Sequence, residues 1–153
     1  MSANEHVDNI KKMIIDTQGF DKIFLDQMTI LQSHPTLQVT FNASLQQFVN
    51  IYGTVHGGVY ATLVDLLGGI VITLHNFDDH VKHLDKHGTV IREVSSDINI
   101  TYIQSAKRGD TLFCEAKLLR KGKHMAFTET CIYKDKTLLA TGRHTKFIAP
   151  VKL

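Results

Sequence analysis

Apolar residues change their spacing several times along this chain, and each change predicts a different element. Near the start, Val7, Ile10, Met13 and Ile14 recur at helical intervals behind Ser2-Ala3-Asn4-Glu5, which has capping-box spacing. With Gly19 as a stop, this predicts an amphipathic helix over roughly residues 4–18. Met28 to Gln32 predicts a short strand and Ser33-His34-Pro35-Thr36 a turn. Leu37, Val39, Phe41 and Ala43 then alternate with Gln38, Thr40 and Asn42, which predicts a half-buried strand. From Gly57 to Leu74 the spacing is helical again, but apolar residues occupy every side of the wheel. Such a helix, ~27 Å long, either crosses a membrane or is buried on all faces by protein. Its glycines, its single charge at Asp65 and its strand-rich flanks favour burial in protein. The Gly68-Gly69 pair predicts close backbone packing or a kink.

Asn76 to Gly88 is polar and predicts a loop. Beyond it, alternating runs follow without a helical interruption. Ile98, Ile100 and Tyr102 form the first; Leu112, Cys114, Ala116 and Leu118 the second; Ala126, Thr128, Thr130 and Ile132 the third; Leu139 to Phe147 the last. Lys121-Gly122-Lys123 and Lys134-Asp135-Lys136 predict tight hairpin connections. One apolar helix and a run of antiparallel strands predict an α+β fold in which a curved sheet wraps the helix.

Composition narrows the function classes. With 153 residues, 43% of them hydrophobic, the chain is expected to form one domain over 1–153 with a substantial core. Seventeen basic against fifteen acidic residues, with no basic cluster interleaved with aromatics, argues against nucleic acid. Cys114 and Cys131 fit core packing in a reducing compartment. Met1 to Phe20 has no apolar run typical of a secretory signal and no Arg typical of a transit peptide. The C-terminal Val151-Lys152-Leu153 only half resembles a peroxisomal address. A cytoplasmic location is expected, with mitochondrion and peroxisome left open.

The chemistry concentrates between Asn50 and Asp65. A polar turn, Asn50-Ile51-Tyr52-Gly53-Thr54-Val55-His56, runs into Gly57-Gly58 at the start of the apolar helix. The first helical turn leaves backbone N–H groups unpartnered and carries partial positive charge. Gly57 lets an oxygen approach its N–H with no side chain in the way, although Gly57-Gly58 also serves tight packing. Asp65 is a lone carboxylate on an apolar helix, costly to bury without a task or a partner. Together the turn, the helix N-terminus and the acid suit attack on a carbonyl. Eight residues separate Gly57 from Asp65, ~12 Å along the axis and too far to act on one carbonyl. If both serve one site, they come from different subunits whose central helices run antiparallel. A purely structural, paired Asp65 is the alternative.

Asn50, Gly53-Thr54-Val55-His56-Gly57-Gly58, Leu63-Val64-Asp65, Ser95-Ser96-Asp97-Ile98-Asn99-Ile100-Thr101-Tyr102 and Gly142-Arg143-His144-Thr145-Lys146 carry a resemblance. The chain resembles the hotdog thioesterase superfamily, in its branch of small acyl-CoA thioesterases acting on fatty acyl or phenylacetyl thioesters. The resemblance implies a hotdog fold, a role in lipid metabolism, and sites at the interface of a homodimer or homotetramer. It assigns Asp65 as base or nucleophile, Gly57 N–H as oxyanion donor and Asn50 as its helper, although Asn50 also suits a plain turn. Ser95 would hold the water, with Ser96 leaving that assignment open by one position. His56 more naturally shapes the turn than moves a proton. For coenzyme A it points to Tyr102 and the hairpin Arg120, Lys121, Gly122, Lys123, whose cations suit phosphates. His144 and Lys146 are weaker candidates there, and Val59, Tyr60 and Leu63 are candidate liners of an acyl channel.

No metal or redox cofactor is implied. The segment 76–88 looks longer than the family's usual connection and holds His80, His83 and His87 beside His75, Asp78, Asp79 and Asp85. Because no ligand set is complete in order, a solvated loop is expected there rather than a metal site, and a lid over the substrate channel is an open alternative. Two rival functions share the fold: a non-catalytic acyl-CoA binding module, and a dehydratase using His56 with Asp65.

Overall fold

The structure, a computed structural model, describes residues 19–75 and 89–152. The expected N-terminal helix over 4–18 and the histidines of 76–88 lie outside the described residues. In chain order the elements are α1 (Lys22–Leu25), β1 (Met28–Gln32), β2 (Leu37–Asn42), a 3-10 turn (Gln46–Phe48), α2 (Gly57–His75), β3 (Thr89–Tyr102), β4 (Thr111–Lys121), β5 (Met125–Lys134) and β6 (Thr137–Lys152). The six strands form one antiparallel sheet in the order β1-β2-β4-β5-β6-β3. α2 packs on β3 to β6, as the apolar helix and the strand run predict.

Alternation decides what faces the helix. Leu37, Val39 and Phe41 on β2, Leu112, Cys114 and Ala116 on β4, and Ile132 on β5 turn inward onto Leu63, Val64, Leu67 and Val71 of α2. Burying each large aliphatic side chain of this set contributes about 1.5–3 kcal/mol. On β6 the same alternation buries Ala140, His144, Lys146 and Ile148. Two of these inward side chains are ionisable, and both lie beneath Asp65. Both cysteines are free thiols, Cys114 buried and Cys131 partly so. Burial alone pushes the Cys114 thiol up to about 12, so it acts as a core side chain.

Gly68 explains part of the Gly68-Gly69 pair. A Cβ there would stand 2.8 Å from Thr128 Oγ1 and 3.1 Å from His144 Nδ1, so β5 and β6 meet helix backbone. One chain by itself does not complete the burial of α2 on every face. Within the chain a stripe comprising Gly58, Ala61, Thr62, Asp65 and Gly69 is covered only in part or not at all. Beside it β3 forms a sheet edge, with Val94, Ile98 and Tyr102 exposed.

Candidate active site

Two clusters lie along the uncovered stripe. The first is at the helix N-terminus. Asn50 Oδ1 accepts the N–H groups of Tyr52 (2.9 Å) and Thr54 (3.2 Å), and Asn50 Nδ2 donates to Thr54 Oγ1 (2.9 Å). This side chain builds the turn, in which Gly53 adopts φ +77°. Only one of the two amide hydrogens on Asn50 Nδ2 is needed for Thr54, and the other meets no acceptor among the described residues. His56 caps the helix: its Nδ1 accepts the Gly58 N–H at 2.8 Å, and its carbonyl accepts the Val59 N–H at 2.9 Å. The Gly57 N–H is left between these two bonds, and no acceptor among the described residues takes it. His56 therefore sits where a turn-shaping residue is expected, and its cap uses the lone pair that a base would need.

The Tyr102 ring closes one side of this cluster. Its Cε1 would be 3.4 Å from a Cβ on Gly57, and its hydroxyl donates to the Gly57 carbonyl at 3.3 Å. Tyr60 meets the Tyr102 ring edge-on, and its hydroxyl accepts the Ala106 N–H at 3.0 Å. An open cavity of about 310 Å³ results, lined by Asn50, Thr54, Gly57, Tyr60, Tyr102 and Gln104 among others. Of the three candidate channel liners, Tyr60 reaches this cavity, whereas Val59 and Leu63 are core.

The second cluster surrounds Asp65, about two turns on. Lys146 Nζ donates to Asp65 Oδ1 at 2.9 Å and Ser95 Oγ to the same oxygen at 3.3 Å; His144 Nδ1 is 3.6 Å away. Asp65 is thus not the lone acid that the helix pattern suggests. Its side chain is 52% exposed in the chain, which leaves room beside the bound oxygen. Burial acts to raise the Asp65 carboxyl, but the Lys146 hydrogen bond and charge, with His144 and Ser95, hold it below the usual carboxylate range. His144 is pushed down by burial and then by Lys146, against the pull of Asp65, so its ring is neutral at physiological pH. Its two nitrogens find no hydrogen-bond partner among the described residues.

A bulge sorts the two serines. The β3–β6 register shifts between Ser95 and Asp97, so Ser95 opposes Lys146 while Ser96 Oγ turns to the Thr145 carbonyl at 3.1 Å. Ser95 is the one that meets the acid. His144 and Lys146 are corrected: their inward positions on β6 make them neighbours of Asp65 rather than parts of an outer coenzyme A surface. Strand alternation with Ala140 and Ile148 is the signal that turns them inward.

Arg120, Lys121, Gly122 and Lys123 lie at the exposed β4–β5 turn. Lys121 aligns with Ala126, and Ala126 with Lys146, so the hairpin belongs to the Asp65 end of the sheet. Tyr102 aligns with Ala140, six residues away along β6 or about 20 Å. The chain therefore does not bring Tyr102 and the hairpin together, just as it does not bring Gly57 and Asp65 together. Among the described residues no His, Cys, Asp and Glu cluster suits a metal ion.

An unpartnered amide at a helix start and an anchored carboxylate suit water attack on an activated carbonyl. Several known proteins are similar to this chain. The family model described as thioesterase superfamily matches residues 52–141. Acyl-coenzyme A thioesterase 13 of Mus musculus is 30% identical over 149 residues, covering 96% of this chain and 97% of that protein. The crystal structure of zebra fish thioesterase superfamily member 2 superposes with a TM-score of 0.77 at 30% identity, covering 97% and 99% of the two chains. A Streptococcus pneumoniae hypothetical thioesterase solved with coenzyme A shares the fold, at TM-score 0.67 and 19% identity, over 82% and 91%. The fold is the hotdog fold, and the chain belongs to the thioesterase superfamily of thioester hydrolases.

Proposed function

We propose that this chain hydrolyses acyl-CoA thioesters to a free acid and coenzyme A, in sites shared between two copies of the chain. The observation that carries the reading is the spacing on the uncovered stripe of α2. The free Gly57 N–H stands at one end, and the ion-paired Asp65 ~12 Å along it. Two such helices packed antiparallel bring the amide of one copy to the acid of the other. The stripe's small residues permit close approach, and the exposed apolar side chains of edge strand β3 favour a second copy alongside.

In this reading the thioester oxygen takes the Gly57 N–H, helped by the second hydrogen of Asn50 Nδ2. Asp65 and Ser95 of the other copy hold a water against the carbonyl carbon. Water oxygen bonds to that carbon as its proton passes to Asp65, and the C–S bond then breaks as the thiolate leaves and is protonated. Tyr102 and the Arg120 to Lys123 hairpin lie at opposite ends of one chain but at the same end of such a paired site. The full-length similarity to an acyl-coenzyme A thioesterase supports the substrate class. Thiol release from acyl-CoAs of graded length, acetyl to palmitoyl and phenylacetyl included, tests the reading. Turnover that Asp65→Asn lowers by ~10²–10⁴ with assembly intact supports it. Binding without turnover across the whole series would instead favour an acyl-CoA binding module.

A further inference from the structure

Gly69 lies one turn beyond Asp65 on the same stripe, and its missing side chain leaves a notch. A Cβ at that position would stand 3.4 Å from Lys146 Nζ and 3.9 Å from Glu93 Oε2. The ammonium that anchors Asp65 and a second carboxyl from β3 therefore converge on the same patch of helix backbone. Thr73, one turn further on, brings its hydroxyl to both Glu93 oxygens, at 3.4 and 3.5 Å. Glu93 is two residues before Ser95 on β3, so strand alternation gives both the face toward α2.

We propose that Glu93 is a positioning residue for Asp65, sharing the Lys146 ammonium with it across the Gly69 notch and so setting how tightly that ammonium holds the catalytic carboxylate. This rests on acyl-CoA hydrolysis by Asp65 as proposed above. The charged groups facing Glu93 are Lys146 from β6 and Lys121 from β4, with the Thr73 hydroxyl from α2. Burial lifts the Glu93 carboxyl to about 7 despite their opposing pull. Below that pH Glu93 is neutral and Lys146 is committed to Asp65. Above it Glu93 is anionic, Lys146 is divided, and Asp65, still ionised, becomes the stronger base.

The pH profile of kcat/KM for thiol release tests this. The wild-type profile steps upward, on the order of threefold, across roughly pH 6–8. Glu93→Gln removes the step. Thr73→Val, which takes away a donor favouring the charged form, moves the step to higher pH. A step unchanged in both variants overturns the proposal. Carboxyl ¹³C NMR of the substrate-free protein separates this from failure of the thioesterase reading. One glutamate should titrate near neutral pH and perturb the Asp65 resonance there, and Glu93→Gln should abolish both signals. An Asp65 resonance blind to Glu93 overturns the proposal even if acyl-CoA is turned over. Coupled resonances without hydrolysis of any acyl-CoA sink the thioesterase reading instead, and the catalytic part of this proposal with it.

Discussion

Lys146 Nζ donates to Asp65 Oδ1 at 2.9 Å, joining the last strand to the middle of the central helix across 81 residues of sequence. The Lys146 side chain is buried beneath the helix, whereas half of the Asp65 side chain opens outward. A buried ammonium beside a partly exposed carboxylate keeps the acid ionised and fixes one oxygen, leaving the other for water.

Replacing Lys146 with Met removes that hold. In the wild type the Asp65 carboxyl lies below its ordinary range, so its ionised form contributes stability and, on the proposed mechanism, activity at neutral pH, and both are lost as pH falls through that low value. With Met at the position, the burial that raises the carboxyl is opposed only by His144 and Ser95. The acid limb of kcat/KM should move to higher pH, which a rate profile from pH 3.5 to 8 checks.

Gly68→Ala should destabilise the fold. The new methyl would stand 2.8 Å from Thr128 Oγ1 and 3.1 Å from His144 Nδ1, on two strands that cannot both retreat. The expected cost is about 1–3 kcal/mol. Denaturant unfolding at fixed protein concentration measures it, and pairing the change with Thr128→Ala should recover part of the loss.

Glu93 predicts an unusual slope of stability with pH. A carboxyl raised from 4.5 to about 7 keeps its proton in the folded protein after the unfolded chain has released it. Folding stability therefore falls between roughly pH 4.5 and 7 and levels off above. Glu93→Gln lacks this slope, so its advantage over the wild type should grow by up to about 3 kcal/mol from pH 4.5 to 8. Urea unfolding of both proteins across that range reads the difference.

Much of the fold was legible because two periodicities are unambiguous here. Leu37 to Phe41 alternates as a strand must, and Gly57 to His75 is continuous enough to be a helix. The α1 turn over Lys22–Leu25 was missed because four residues carry no period. At the site, Asn50, His56, Gly57 and Tyr102 form one cluster, and Asp65 and Ser95 belong to the other. The surroundings of Asp65 were harder to read. Lys146 sits on a strand whose register against α2 no local pattern specifies, and its charge suggested an outer surface. Glu93 was invisible for a related reason, since only the space left by Gly69 shows that it shares a neighbour with Asp65. Choosing Ser95 over Ser96 needed the β3 bulge, which alternation alone does not announce.

The division of the site between subunits is tested most directly by mixing two defective chains. Asp65→Asn spoils the acid half and Asn50→Ala the amide half, so each variant alone should be nearly inactive. Doubly tagged heterodimers carrying one chain of each should contain one intact site and one doubly damaged site, and recover about half of the wild-type thiol-release rate. Heterodimers as inactive as their parents would contradict the shared site.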